Sequence, residues 1–209
     1  MKALLVFLLF CYSVALVLII GRRRCVNKKC VLPFVFGMVS FLSVFIVQIP
    51  LQNLLKRASP LFGNVVLSAI IYAAVAGFVQ EFFKMFAALS VGRDVLYGIA
   101  SGAGFGISEV IYIFAISPVV PIVSIIERLF VVMFHISGTG LIMKGKNLKQ
   151  IFFLYVLISV LHTAVDTVAL LFQMRLISLM SAEFFEALVS VSLFAILFKY
   201  SEREILVSN

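Results

Sequence analysis

Tryptophan is absent from the 209 residues, histidine occurs twice, and only 12% of the chain is charged. A soluble domain carries about twice that charge. The shortage excludes an aqueous fold, because 64% of the residues are hydrophobic and one aqueous core cannot hide them. It also excludes a disordered chain, which needs high charge and low hydrophobicity. Three cysteines are too few for a disulfide scaffold. What remains is a chain built for a lipid bilayer.

The formal net charge is +8. The basic residues stand in short runs between apolar stretches, as loop charges of a membrane protein do. No basic patch alternates with aromatics, so no nucleic-acid partner is expected. Twenty-two phenylalanines supply packing and lipid-facing bulk. Cys11 sits in an apolar stretch and reads as a packing residue. Cys25 and Cys30, in a basic connection, read as two reduced cytosolic thiols, since a metal site needs more ligands nearby.

A membrane helix needs about 20 apolar residues. Seven segments qualify, at 3–20, 31–50, 64–90, 95–117, 120–143, 150–172 and 176–198. Nothing alternates like a barrel strand. The expected fold is an all-α polytopic membrane protein with a bundle of about seven transmembrane helices. Residues 1–209 form one membrane domain, and the third to sixth helices, about 64–172, form its catalytic-type core. The first segment exceeds the usual apolar run of a cleavable signal, and Arg22, Arg23 and Arg24 follow it, so it reads as a retained helix. Seven spans put eleven loop lysines and arginines on one side and four (Lys2, Lys56, Arg57 and Arg175) on the other. The positive-inside rule then places the N-terminus outside and the C-terminus in the cytosol. Residues 51–63 suit a short interfacial helix on the outer side.

Several ionisable residues remain at membrane depth: Glu81, Lys84, Glu109, Glu127, Arg128, His135, His162, Asp166, Glu183 and Glu186. Each charge at the bilayer centre costs about 2.5–3.5 kcal/mol on insertion scales. So many must face one another or a wet cavity. At the rise of a helix, Glu81, His135 and His162 lie about 12–18 Å from the cytosolic boundary, and Glu109, Arg128 and Asp166 about 21–25 Å. Glu81 and Lys84 share a helix face, as do His162 and Asp166. Gly102 and Gly106, on the face of Glu109, allow another backbone to approach. Lys84 near a segment end suits snorkelling to the interface. Glu127 and Arg128 suit a structural ion pair with Glu109 or Asp166. Glu183 and Glu186 read as interfacial or pairing residues. Glu81, Glu109, His135 and His162 read as chemical or ligand-binding residues, with Asp166 orienting His162.

Four pieces in order resemble the intramembrane protease superfamily of the CAAX prenyl proteases, PrsW and YhfC-type metalloproteases. Gln80-Glu81-Phe82-Phe83-Lys84 is similar to its Glu-Glu-x-x-Lys/Arg motif. Gly104-Phe105-Gly106-Ile107-Ser108-Glu109 resembles the glycine-rich second motif. Glu127-Arg128 with Phe134-His135-Ile136 is similar to a YhfC-type segment, and His162-Thr163-Ala164-Val165-Asp166 to the closing His-x-x-x-Asp/Asn motif. The resemblance covers about residues 77–170 and lies nearest the YhfC and PrsW branches. It implies a peptidase, a membrane-embedded or lipidated peptide as substrate, and a prokaryotic plasma membrane as location. Gln80 stands where the superfamily has its leading glutamate, the water-activating base of CAAX-type members. The base is then Glu81 or Glu109, or the chain is an inactive relative.

Peptide hydrolysis requires an activated water, a polarised carbonyl and a proton for the leaving amine. With a metal, Zn2+ or another divalent ion, Glu109, His135 and His162 serve as ligands, Glu81 as base and Asp166 as the group orienting His162. Without one, Glu81 or Glu109 activates water directly and the histidines steady it. No His-Glu-x-x-His is present. Two rivals are a pseudoprotease that binds a membrane peptide and a small proton-coupled transporter.

Overall fold

The computed structural model describes residues 2–21, 30–58 and 64–207. The helices are α1 (Lys2–Gly21), α2 (Val31–Ser40), α3 (Ile49–Ala58), α4 (Val65–Leu89), α5 (Val95–Ile116), α6 (Ile122–Ile142), α7 (Leu148–Gln173) and α8 (Leu179–Val207). No strand occurs among the described residues. Seven spans among them are long and apolar enough to cross a membrane. Their order and approximate bounds agree with the seven segments read from the sequence.

Local signals set the helix starts. Asn64 Oδ1 accepts from Val66 N and Leu67 N at 2.9 and 3.2 Å, capping α4. Asp94 caps α5 through Leu96 N, and Asn147 caps α7 through Gln150 N, both at 2.9 Å. Pro121, which has no N–H to lose, precedes α6.

The second span differs from expectation. Residues 44–48 form a π-helical turn, and α3 continues directly from it, so one span runs from Val31 to Arg57. Pro50, the second residue of α3, has no N–H to donate back into the π turn just before it. The short helix expected at 51–63 is therefore the continuation of this span up to Ala58, and residues 59–63 lie outside the described ones. The extra residue of a π turn shifts the helix face. Here it puts Gln48 inside, where it is buried.

α5 is the central helix, packed against α1, α2, α4 and α6, while α7 packs along α4 and α8 along α6. A Cβ at Gly102 would overlap the carbonyl oxygen of His135. This glycine therefore sets how closely α6 approaches. At Gly77 a Cβ would come within 2.8 Å of Ser159 O, so α4 and α7 also approach closely. α1 buries one stripe, Leu9, Ser13, Leu16 and Ile20, at helical spacing. Cys11 lies off that stripe and is free and exposed, not packed inside. Cys30 is disulfide-bonded, which corrects the expectation of a reduced thiol there. Spacing alone does not report pairing. Cys25 lies outside the described residues.

Candidate active site in the membrane

α4, α5, α6 and α7 each send ionisable side chains into one buried centre. Glu81 and Lys84, one turn apart on α4, are fully buried, and His135 and His162 are nearly so. His162 Nδ1–H donates to Glu81 Oε1 at 2.8 Å. Lys84 Nζ donates to the same oxygen at 2.6 Å. Lys84 also donates to His135 Nδ1 at 2.7 Å. Because an ammonium has only donors, that contact makes Nδ1 the acceptor. His135 Nε2–H then donates to Glu109 Oε2 at 2.8 Å. Arg128 grips the other Glu109 oxygen at 2.7 Å and holds Glu127 at 2.5 Å.

The network thus runs without a break from His162 through Glu81, Lys84, His135, Glu109 and Arg128 to Glu127. It brings Glu81, Glu109, His135 and His162 together, as their depths suggest. Asp166 Oδ1 is 3.7 Å from His162 Nε2, an ion-pair distance beyond hydrogen-bond reach. The Arg128–Glu109 pair is one of the two pairings expected. Lys84 does not snorkel. Its side chain is wholly enclosed between Glu81 and His135, with Phe105 below it at 5.2 Å from the ring centroid. Glu186 is buried, and its Oε1 has no hydrogen-bond partner among the described residues.

Apolar rings enclose the centre. Phe105 meets the His135 ring edge-on at 5.1 Å between centroids, and Phe134 meets His162 at 5.0 Å. The two imidazoles lie 5.4 Å apart. Beside them is a chamber of about 70 Å³, bordered by Gln80, Glu109, Arg128, His135, His162 and Asp166 among others. It has room for a few waters and enough polar partners to hold them.

Glu81, His135 and His162 each offer a ligand atom, all within 4.8 Å of one another. Two imidazole nitrogens and a carboxylate are a donor set that suits a divalent metal. Glu81 Oε2 is buried and has no partner among the described residues, so it is free for one. This group has Glu81 where the sequence points to Glu109, which instead accepts from His135. Gln80 Nε2 donates to Gln48 Oε1 at 3.0 Å. Sequence inspection misses Gln48, because only the π turn brings it inward. It also undervalues Lys84 and Glu186, although each is a charge well inside an apolar run.

Seven apolar spans around a polar centre make this a multi-pass integral membrane protein. Residues 112–185 match the family model described as YhfC intramembrane metalloprotease, so about a third of the chain is similar to that family. The matched stretch holds Arg128, His135, His162 and Asp166, while Glu81, Lys84 and Glu109 precede it. No match was found among curated proteins or among solved structures.

Proposed function

We propose that the protein is an intramembrane peptidase that hydrolyses a peptide bond in a membrane-embedded or lipidated substrate. The observation that carries this is the convergence of Glu81, His135 and His162, from three helices, in one water-poor centre beside a polar chamber. The family match over residues 112–185 supports it. α4–α7 form the catalytic core of a single domain of residues 1–209. In this reading the chain lies in a prokaryotic plasma membrane, and the loop charges favour its N-terminus outside and its C-terminus in the cytosol.

Glu81, His135 and His162 would hold the metal, with zinc fitting the donor set. A bound zinc supplies Lewis acidity toward a carbonyl and lowers the pKa of water. Glu109 borders the chamber and takes the proton from the attacking water, then returns it to the leaving amine. Arg128 holds Glu109 in place through one Nη, and its buried Nε is without a partner among the described residues. That donor is available to a developing oxyanion in the chamber that Arg128 borders. Asp166 steadies His162 electrostatically from 3.7 Å. In a metal-free reaction the same Glu109 activates water and both histidines order it.

A second reading, a pseudoprotease that retains peptide without cutting it, is favoured by one observation: Gln80, at the place of a superfamily glutamate, is bonded to Gln48. The test is hydrolysis of a fluorescent transmembrane peptide in proteoliposomes. Cleavage that is lost in Glu81→Gln and in Glu109→Gln supports the peptidase. Tight peptide capture without a product supports the binder.

A further inference from the structure

A second and larger cavity, about 380 Å³, opens between the start of α6, the end of α7 and the start of α8. Pro121, Val123, Phe172 and Leu179 give it apolar walls, and Glu127, Glu183 and Glu186 give it carboxylates. It adjoins the small chamber, for Glu127, Val165, Ala169 and Glu186 border both. Its volume is that of a ligand pocket, typically about 300–1,000 Å³.

Resting on the peptidase reading, we propose that this cavity is a subsite for a lysine or arginine side chain of the substrate, with Glu186 at its inner end. Glu186 is 7% exposed, and its Oε1 meets no donor among the described residues. Glu183, one turn earlier on the same face of α8, has a buried Oε2 that is equally unpartnered. The nearby cation, Arg128, gives its Nη groups to Glu109 and Glu127 and makes no hydrogen bond to Glu186 Oε1 or Glu183 Oε2. Six carboxylates, Glu81, Glu109, Glu127, Asp166, Glu183 and Glu186, surround the two joined cavities and the network beside them, against two fixed cations, Lys84 and Arg128. Buried carboxylates without partners are costly, and an incoming ammonium or guanidinium removes that cost. The apolar walls suit the aliphatic stem of the same side chain. The head then lies next to the chamber of Glu109 and His162, so the basic residue stands close to the scissile bond. In the proposed orientation the cavity opens toward the outer face, and the basic residue enters from there.

The test has a binding arm and a cleavage arm, both on the full chain. Calorimetry with n-hexylguanidinium should show saturable binding that n-hexanol lacks. Glu186→Gln should weaken it at least about tenfold, the loss of one charge-assisted contact. Glu183→Gln, nearer the mouth, should weaken it less and provides the measurement if Glu186→Gln does not fold. In the cleavage arm a transmembrane peptide carries one lysine, moved residue by residue through its outer half. Cleavage should peak at one placement, and Glu186→Gln should raise KM there with little change in kcat. Guanidinium binding that is the same in wild type and the Glu183→Gln/Glu186→Gln double variant overturns the subsite. So does cleavage that ignores the lysine. Binding that needs Glu186, with no peptide cut by the wild type, keeps the subsite and removes the peptidase reading instead.

Discussion

Lys84 Nζ lies 2.7 Å from His135 Nδ1 and 2.6 Å from Glu81 Oε1, so a lysine ammonium occupies the space between two members of the candidate metal-ligand group. A divalent ion at His135 would draw on the Nδ1 lone pair that this ammonium now holds, while Glu81 Oε2 stays unpartnered. Lys84 neutralises Glu81 in the metal-free protein, and it would have to withdraw or lose its proton for His135 Nδ1 to bind an ion.

Lys84→Met should raise the affinity for zinc by an order of magnitude or more, measured by competition with a chelator of known strength. The same change leaves buried Glu81 without its cationic partner and with His162 alone, which costs about 3–5 kcal/mol of stability in metal-free protein. Added zinc should recover most of that loss. Unchanged zinc affinity in a folded Lys84→Met protein would show that the ammonium does not compete.

Gln80 donates to Gln48, and a glutamate at position 80 can keep that bond if the Gln48 amide turns to donate. Gln80→Glu should therefore fold. It should raise peptidase turnover if a carboxylate at position 80 can serve as a further base, since residue 80 borders the chamber. Gln80→Glu combined with Gln48→Leu should lose the gain. Turnover equal to wild type in the single variant would mean that Glu109 alone meets the need for a base.

Much of this site is legible in the sequence, because a charge inside an apolar run has few physical excuses. Glu81, Glu109, His135 and His162 stand out on depth alone, and the structure puts them in one network. Pair identity is not legible in the same way. Whether Arg128 takes Glu109 or Asp166 depends on helix rotation, and rotation depends on contacts such as Gly102 against His135. Lys84 shows the limit most plainly. Its distance from the segment end fits snorkelling, but Phe105 and His135 close the path. Gln48 is hidden for another reason, since an α-helical count through residues 44–48 puts it on a different face from the one the π turn gives it.

Gly102 is the spacer between α5 and the backbone that carries His135. Gly102→Leu should force the helices apart and cost about 1–3 kcal/mol, the usual penalty of overpacking. Because the displaced backbone is that of His135, metal affinity should fall more than stability does. Thermal unfolding and zinc titration on one preparation separate the two effects. Wild-type zinc affinity in Gly102→Leu would mean that this contact does not position the site.

Eleven basic loop residues against four predict the orientation. Arg57 and Lys146 are exposed at opposite ends of the bundle. Single cysteines at these positions, in a background without other cysteines, should react differently with an impermeant maleimide. Position 57 should label in intact cells, and position 146 only after permeabilisation. The reverse pattern would invert the bundle and turn the mouth of the acidic cavity toward the cytosol.

Metal dependence can be decided by occupancy, independent of catalysis. Two histidines and Glu81 on three helices offer ligand atoms within 4.8 Å, and Glu81 Oε2 is free to bind. Protein purified without chelator should carry about one equivalent of zinc or a similar ion, the load of one three-ligand site. Imidazole binds metal only when deprotonated, so affinity should fall as the pH is lowered into mild acid. His135→Ala and His162→Ala should each lose the ion while remaining folded. Glu109→Gln should keep it, because Glu109 accepts from His135 and stands outside the ligand group. Loss of the ion in Glu109→Gln would move that carboxylate into the ligand set and pass the role of base to Glu81. Undiminished cleavage by protein stripped of metal would remove the ion from the mechanism and leave Glu109 to activate water alone.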